Sequence, residues 1–353
     1  MNKTKALMGV ALITMSSSAH AQTLSAPVAG HITLGQGALD TLPADYEVEE
    51  RFLSGTAKRY GSSVAPTEDG QWALKETGEA AFKTRLVVVR PRDASNFNGS
   101  VVVEWLNVSG GSDGAPDLNY VHRELLRSGY AYVGVSVQKV GLDGGSTPVP
   151  GVQPIKLADP ARYGSLVHPG DAYAFDMFSQ AGRAVKAGAQ NELLAGLKIK
   201  HVLATGESQS AGFLTSYVNG VDPISKIYDG FLIHSRFAGA VSLDGDYIAG
   251  MAGQSANLAK MAVHIRADAR VPVLMFITET DLMAPQRGYL RARQDDSARI
   301  RLWEVAGTAH ADSYILAGAA LDTGRAPIAT LAKAFTPSAD LFGQPLEKPM
   351  NAA

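Results

Sequence analysis

The chain has 353 residues, 46% of them hydrophobic, enough to bury a large core as one big domain or two small ones. Charged residues make up 19%, the formal net charge is -2, and no basic block occurs, so nucleic-acid binding has no electrostatic support. There is no cysteine, which excludes disulfides, thiol catalysis and thiolate-held metals.

The N-terminus reads as a secretion signal over residues 1–21. Lys3 and Lys5 form a positive start, Ala6 to Met15 an apolar run, and Ala19-His20-Ala21 a small-x-small cleavage site before Gln22. The run is too short to span a bilayer, which takes about 20 residues. No later segment is long and apolar enough to do so. The mature protein is therefore expected outside the cytoplasm, periplasmic or secreted, with no membrane span. Residues 22–45 are small and dotted with Pro and Gly, a leader along the surface. A single domain is expected from Tyr46 to Ala353.

Strand-like runs come first, within Tyr46 to Tyr60 and Ala81 to Arg90. Ser100 to Leu106 follows the turn signal Asn98-Gly99. Asp117 is placed to cap a helix carrying Leu118, Val121 and Leu125, with Gly129 ending it. Ala131 to Val137 reads as a buried strand and Gly141 to Pro169 as a long loop. Asp171 opens a helix with Tyr173, Phe175, Phe178 and Ala181 on one side. Ile199 to Thr205 is a strand and Ser210 to Asn219 a helix. Phe231 to His234, Val271 to Ile277 and Ile300 to Val305 are further strands. Apolar runs alternating with amphipathic helices predict an α/β fold, a mostly parallel sheet covered on both faces. Residues 236–269 interrupt the rhythm and read as a small cap or lid insertion.

The sharpest local feature is Gly206-Glu207-Ser208-Gln209-Ser210, where a buried strand meets a helix. A serine on such a tight turn has its hydroxyl pushed out at the carboxyl edge of the sheet, and the turn needs small residues two before and two after it. Gly206 and Ser210 meet that need, in a G-x-S-x-S variant of the usual pattern. An ordinary helix-capping serine is the plainer alternative. A serine needs a base, and His310 follows the last strand in a Gly-containing loop. A carboxylate must orient the base. Asp281 follows the strand Val271 to Ile277, with Glu279 as the alternative acid. The order Ser208, Asp281, His310 is the one required when all three sit at strand ends. The oxyanion donors are expected to be the Gln209 amide and one from the loop Asn107-Val108-Ser109-Gly110-Gly111, either Val108 or Ser109.

The stretches Val103 to Val108, Tyr132 to Gln138, Tyr163-Gly164-Ser165 with His168-Pro169-Gly170-Asp171, Gly206 to Ala211, and Arg301 to Asp312 resemble the "alpha/beta hydrolase domain" proteins, a family of serine hydrolases, many exported. The resemblance runs from about Tyr46 to the C-terminus. It implies the α/β-hydrolase fold and a serine mechanism, and it does not imply a substrate. Family members usually continue past a stretch like Lys348 to Ala353 into a final amphipathic helix. This sequence stops there, a departure that bears on stability more than on chemistry.

Other residues are placed to line a substrate pocket: Asn107, Tyr163, His168, His234 and Glu207. For His234 a satisfied strand-edge histidine is the equal alternative, and for Glu207 a bond to the backbone of the turn. Asp312 reads as a loop-stabilising or capping residue. Histidines occur without metal-ligand spacing, so a metal is not required, and a serine mechanism needs no cofactor. The expected activity is hydrolysis of a small-molecule carboxylic ester through an acyl-enzyme. A lactone or activated amide would use the same machinery, and a ligand-binding protein on an inactive hydrolase fold is the rival from another class.

Overall fold

The long β-hairpin that opens the domain is built by residue alternation and finished by backbone pairing. In the computed structural model, which describes residues 22–312 except 37–38, 40–41, 146–151, 189, 191, 246–260 and 284–287, together with Ile315, β1 is Thr23–Leu24, β2 Tyr46–Gly61 and β3 Lys75–Pro91. The signal peptide, the middle of the 236–269 insertion and the C-terminal stretch lie outside the described residues. β3 starts six residues before the apolar run at Ala81. Its polar start, Lys75 to Gly78, is held by pairing with Arg59, Tyr60 and Gly61 of β2.

The remaining strands are β4 (Ser100–Trp105), β5 (Ala131–Val135), β6 (His201–Glu207), β7 (Gly230–His234), β8 (Val273–Thr278) and β9 (Ile300–Val305). Among the described residues they form one nine-stranded sheet in the order β1-β2-β3-β5-β4-β6-β7-β8-β9. The pairings from β5 to β9 are all parallel, and those from β1 through β3 to β5 are antiparallel. Parallel strands need covered faces. Along β4, Val101, Val103 and Trp105 point into the main core, where Trp105 stacks on Phe213 at 4.9 Å and meets Phe178 at 4.8 Å. Phe178 lies on helix α2 (Ala174–Lys186) and Phe213 on helix α3 (Gln209–Ser216). Val102 faces the second cluster, with Leu118 and Leu125 of helix α1 (Pro116–Arg127). Gly129 ends α1 with φ 73°, and a Cβ there would lie 2.1 Å from the Asn96 carbonyl oxygen, so only glycine fits.

Four expectations are corrected. Asp117 does not cap α1. Glu104 does, its two carboxylate oxygens accepting the Asp117 and Leu118 amides at 3.0 Å each, and this frees the Asp117 side chain for other partners. Asp171 lies inside a short 3-10 turn, Asp171–Tyr173, rather than capping a helix, and its carboxylate accepts the Lys139 amide at 2.7 Å. The stretch expected as a loop contains short helices at Lys139–Asp143, Ile155–Ala158 and Pro160–Tyr163. The last is held by Asp159, which accepts the Arg162 amide at 3.0 Å. The helix after the serine gives way at Tyr217 to a wide π-turn, Tyr217–Val221.

The described ends of the 236–269 insertion are packed. Arg236 is fully buried, and its guanidinium donates to the carbonyls of Phe237, Ala238 and Val263 at 3.0, 3.0 and 2.5 Å. One side chain thus clasps both ends of the insertion beside β7.

Candidate active site

Ser208 sits between β6 and α3 with φ 57° and ψ -113°, a conformation that side-chain-bearing residues rarely adopt. The turn holds because its neighbours are small: a Cβ on Gly206 would lie 3.0 Å from Ser210 Cβ. Its backbone is tied down by the Ser208 amide donating to the His234 carbonyl at 3.0 Å.

Ser208 Oγ lies 2.8 Å from His310 Nε2. His310 Nδ1 lies 2.6 Å from Asp281 Oδ1. Asp281 is the buried member of the short helix α4 (Glu279–Met283), and its Oδ2 accepts the Thr278 hydroxyl at 2.6 Å and the Thr278 amide at 2.9 Å. Burial opposes its ionisation, but the bonds from His310 and Thr278 outweigh it and hold the carboxyl below the usual range. Burial likewise opposes charge on His310, yet Asp281 and Glu207 push its imidazole up to about 9. Glu279 is turned elsewhere: its carboxylate accepts the Gly307 amide at 2.7 Å and props the loop that carries His310. The His310 amide donates to Thr280 Oγ1 at 2.7 Å, a second tie between the acid and base loops.

The loop after β4 reaches the same place. The Val108 amide points at the Gln209 side-chain oxygen at 3.3 Å, and the Ser109 amide is bound to Asn107 Oδ1 at 2.7 Å. Of the two loop amides, Val108 is therefore the one directed at the residue after the serine. Asn107 Nδ2 reaches across to the Glu207 carbonyl at 3.1 Å and to Glu207 Oε2 at 3.2 Å. Glu207 is buried, which raises its carboxyl to about 7.

Two residues placed at a pocket by sequence are not brought to the serine. Tyr163 belongs to a separate buried cluster with Phe52, Leu142, Ile155 and Leu166, and its hydroxyl donates to Glu50 at 3.0 Å. His168 is buried with both ring nitrogens engaged, Nε2 with the Val137 carbonyl at 2.9 Å and Nδ1 with the Gly170 amide at 3.1 Å. A buried tyrosine or histidine needs its polar atoms satisfied, and these bonds do that. His234 does lie beside the serine turn. It pairs with Asp117 at 2.7 Å and helps wall a cavity of about 250 Å³ with Tyr120, Phe276, Trp303, Thr308 and Asp312, on the α1 side of the sheet. Asp312 accepts the Tyr120 hydroxyl at 3.1 Å and the Ile315 amide at 2.9 Å, in keeping with a capping residue.

Sequence reasoning missed Asp117, because Pro-Asp at a helix start looks like a cap. It also missed Phe237, whose ring stacks on His310 with centroids 5.2 Å apart and planes at 24°. The only available signal for Phe237 was an aromatic residue directly after a strand end.

Among the described residues, no helix is long and apolar enough to cross a membrane. The profile of the family described as "Alpha/beta hydrolase domain" matches residues 14–353. No curated protein matches the sequence. Similar solved structures include esterase Est22, at 14% identity and TM-score 0.43, covering 85% of this chain and 82% of that one. Brefeldin A esterase, described as a bacterial homologue of human hormone sensitive lipase, is 11% identical with TM-score 0.40, covering 87% and 79%. Esterase 2 of Thermogutta terrifontis is 14% identical with TM-score 0.35, covering 64% and 80%.

Proposed function

The chain belongs to the alpha/beta hydrolase domain family, and from that premise we propose that it is a serine hydrolase cleaving carboxylic esters, with Ser208 as nucleophile, His310 as base and Asp281 orienting the base. The observation that carries this reading is the continuous line of hydrogen bonds, 2.8 Å from serine to imidazole and 2.6 Å from imidazole to carboxylate. Ser208 Oγ attacks the ester carbonyl carbon as its proton passes to His310 Nε2. The carbonyl oxygen becomes an oxyanion, received by the Gln209 amide and by the Val108 amide, which exchanges its long bond to the Gln209 side chain for one to the substrate. The C–O bond to the alcohol breaks as His310 Nε2 returns the proton to the leaving oxygen. Water then releases the acid from Ser208 by the same route.

Residues 236–269 act in this reading as an insertion at the site, supported by Phe237 against the His310 ring. Export with cleavage after Ala21 belongs to the same reading and would show as Gln22 at the N-terminus of protein recovered outside the cytoplasm.

The test is a fluorophosphonate probe with p-nitrophenyl esters of increasing chain length, lactones and aryl esters beside them. The probe is expected to modify Ser208, and Ser208→Ala to lower turnover by about 10³-fold or more. A protein that takes no label and turns over none of these substrates is a binder on a hydrolase fold.

A further inference from the structure

Glu207 ends β6 directly before the serine, in a place where a charge is costly. Its side chain is 5% exposed, and burial shifts its carboxyl up to about 7. A glutamine would fill the same space without that penalty. Four of the elements packed against it bring titratable groups. His310 comes from the loop after β9, His234 from β7, Asp117 and Tyr120 from α1, and Asp281 from α4. The two imidazoles favour its ionised form, and the two aspartates oppose it.

Its two oxygens do different things. Oε2 accepts Asn107 Nδ2 at 3.2 Å, and the same amide reaches the Glu207 carbonyl at 3.1 Å. Asn107 is the neck of the loop carrying Val108 and Ser109. Its backbone closes a two-bond bridge with Gly114, at 2.9 and 2.8 Å, and its Oδ1 holds the Ser109 amide at 2.7 Å. Oε1 faces His310 Nε2 at 3.8 Å, on the serine side of the ring, opposite the Nδ1 held by Asp281.

We propose that Glu207 is a positioning residue with two actions: through Asn107 it clasps the loop that supplies an oxyanion donor to the nucleophile turn, and through Oε1 it is a second carboxylate stabilising the imidazolium on the Nε2 side. This rests on the serine-hydrolase reading. The proton still travels only from Ser208 Oγ to His310 Nε2 and on to the leaving oxygen, and Glu207 takes no proton. The charge acts when His310 is positive, which is when the oxyanion exists, so its benefit falls on the intermediate rather than on bound substrate.

The two actions separate in two variants. Glu207→Gln removes the charge and keeps an oxygen for Asn107. NMR titration of the His310 ring should then show its pKa lower by about one unit. In kinetics the acid limb of kcat/KM moves down with it, and plateau kcat falls about tenfold with KM little changed. Asn107→Ala keeps the charge and cuts the clasp, so kcat falls while the His310 pKa stays. The melting temperature of Glu207→Gln should equal or exceed that of the wild type, because a buried charge is gone. An unmoved His310 pKa in Glu207→Gln overturns the electrostatic action, and an unmoved kcat in Asn107→Ala overturns the clasp. The NMR titration needs no turnover, so a wild type inert toward every ester would sink the hydrolase reading and leave Glu207's effect on the ring still measured.

Discussion

The described chain contains two Thr–Asp–His chains, and only one of them ends at a serine. In one, the Thr278 hydroxyl donates to Asp281 at 2.6 Å and Asp281 holds His310 Nδ1 at 2.6 Å. In the other, the Thr205 hydroxyl donates to Asp117 at 2.5 Å and Asp117 holds His234 Nδ1 at 2.7 Å. In both, burial opposes charge on the imidazole and the carboxylates override it, so both rings bind protons more tightly than a free histidine. The difference lies at the far nitrogen. His310 Nε2 meets Ser208, and its side chain is 28% exposed. The His234 ring is met edge-on by Tyr120 and Phe276 at 5.4 and 5.2 Å, and its own backbone carbonyl anchors Ser208. On the proposed reading, a carboxylate behind an imidazole is therefore not enough to make a base, and a hydroxyl in front of it, with room for a substrate, is needed too.

Alanine at each histidine breaks the comparison most widely. His310→Ala should lower kcat about as far as loss of the nucleophile, 10³-fold or more. His234→Ala should lower it less than about tenfold while costing about 3 kcal/mol of stability, because Asp117 is left buried without its partner. Steady-state kinetics and urea unfolding on both variants measure the two effects. A His234→Ala enzyme as dead as His310→Ala but fully stable would mean that the roles of the two rings are misassigned.

Asparagine at each acid sharpens the same contrast while keeping the side-chain shape. Asp281→Asn presents His310 with an amide that can stabilise the wrong tautomer, and kcat should fall by about 10⁴-fold with the fold intact. Asp117→Asn keeps one oxygen, which can face His234 Nδ1 while the Thr205 hydroxyl turns to accept from the new amide group, so kcat should change only a few-fold. Equal losses in the two variants would show that the second chain acts in catalysis and is more than a scaffold.

The first of these chains was legible in the sequence and the second was not. Ser208, Asp281 and His310 each follow an apolar strand, and parallel strands deliver their ends to one edge, so order along the chain stood in for proximity. Asp117 lies in the first turn of a helix, where carboxylates are ordinary, and its true partners come from β6 and β7, about 90 and 117 residues further on. Tyr163 and His168 fail for the opposite reason. A loop rich in Gly and Pro reads as an open rim, and short helices folded it back onto a buried ion pair, Arg162 with Glu50 at 2.5 Å. The choice between Asp281 and Glu279 turned on rotation about one turn of helix, which no linear pattern reveals. The strands of the hairpin were visible in outline, but their polar ends depend on pairing rather than on composition.

Stability against pH tests what the two rings share. His310 is raised from 6.5 to about 9. A basic group raised on folding stabilises fully below its unfolded value and loses that contribution as pH climbs through the folded one. The His310 contribution, ~3 kcal/mol at 1.36 kcal/mol per unit, should thus be present at pH 6 and largely gone above pH 9. His234 is shifted in the same direction. Glu207, raised from 4.5 to about 7, withdraws its contribution over a lower window, between those two values. Urea midpoints of the wild type should therefore fall from pH 6 to pH 9.5. In His310→Ala the fall should shrink but persist, carried by His234 and, up to about pH 7, by the upper part of the Glu207 window. Parallel midpoint curves for the wild type and His310→Ala would place the proton uptake elsewhere and remove the electrostatic likeness between the two chains.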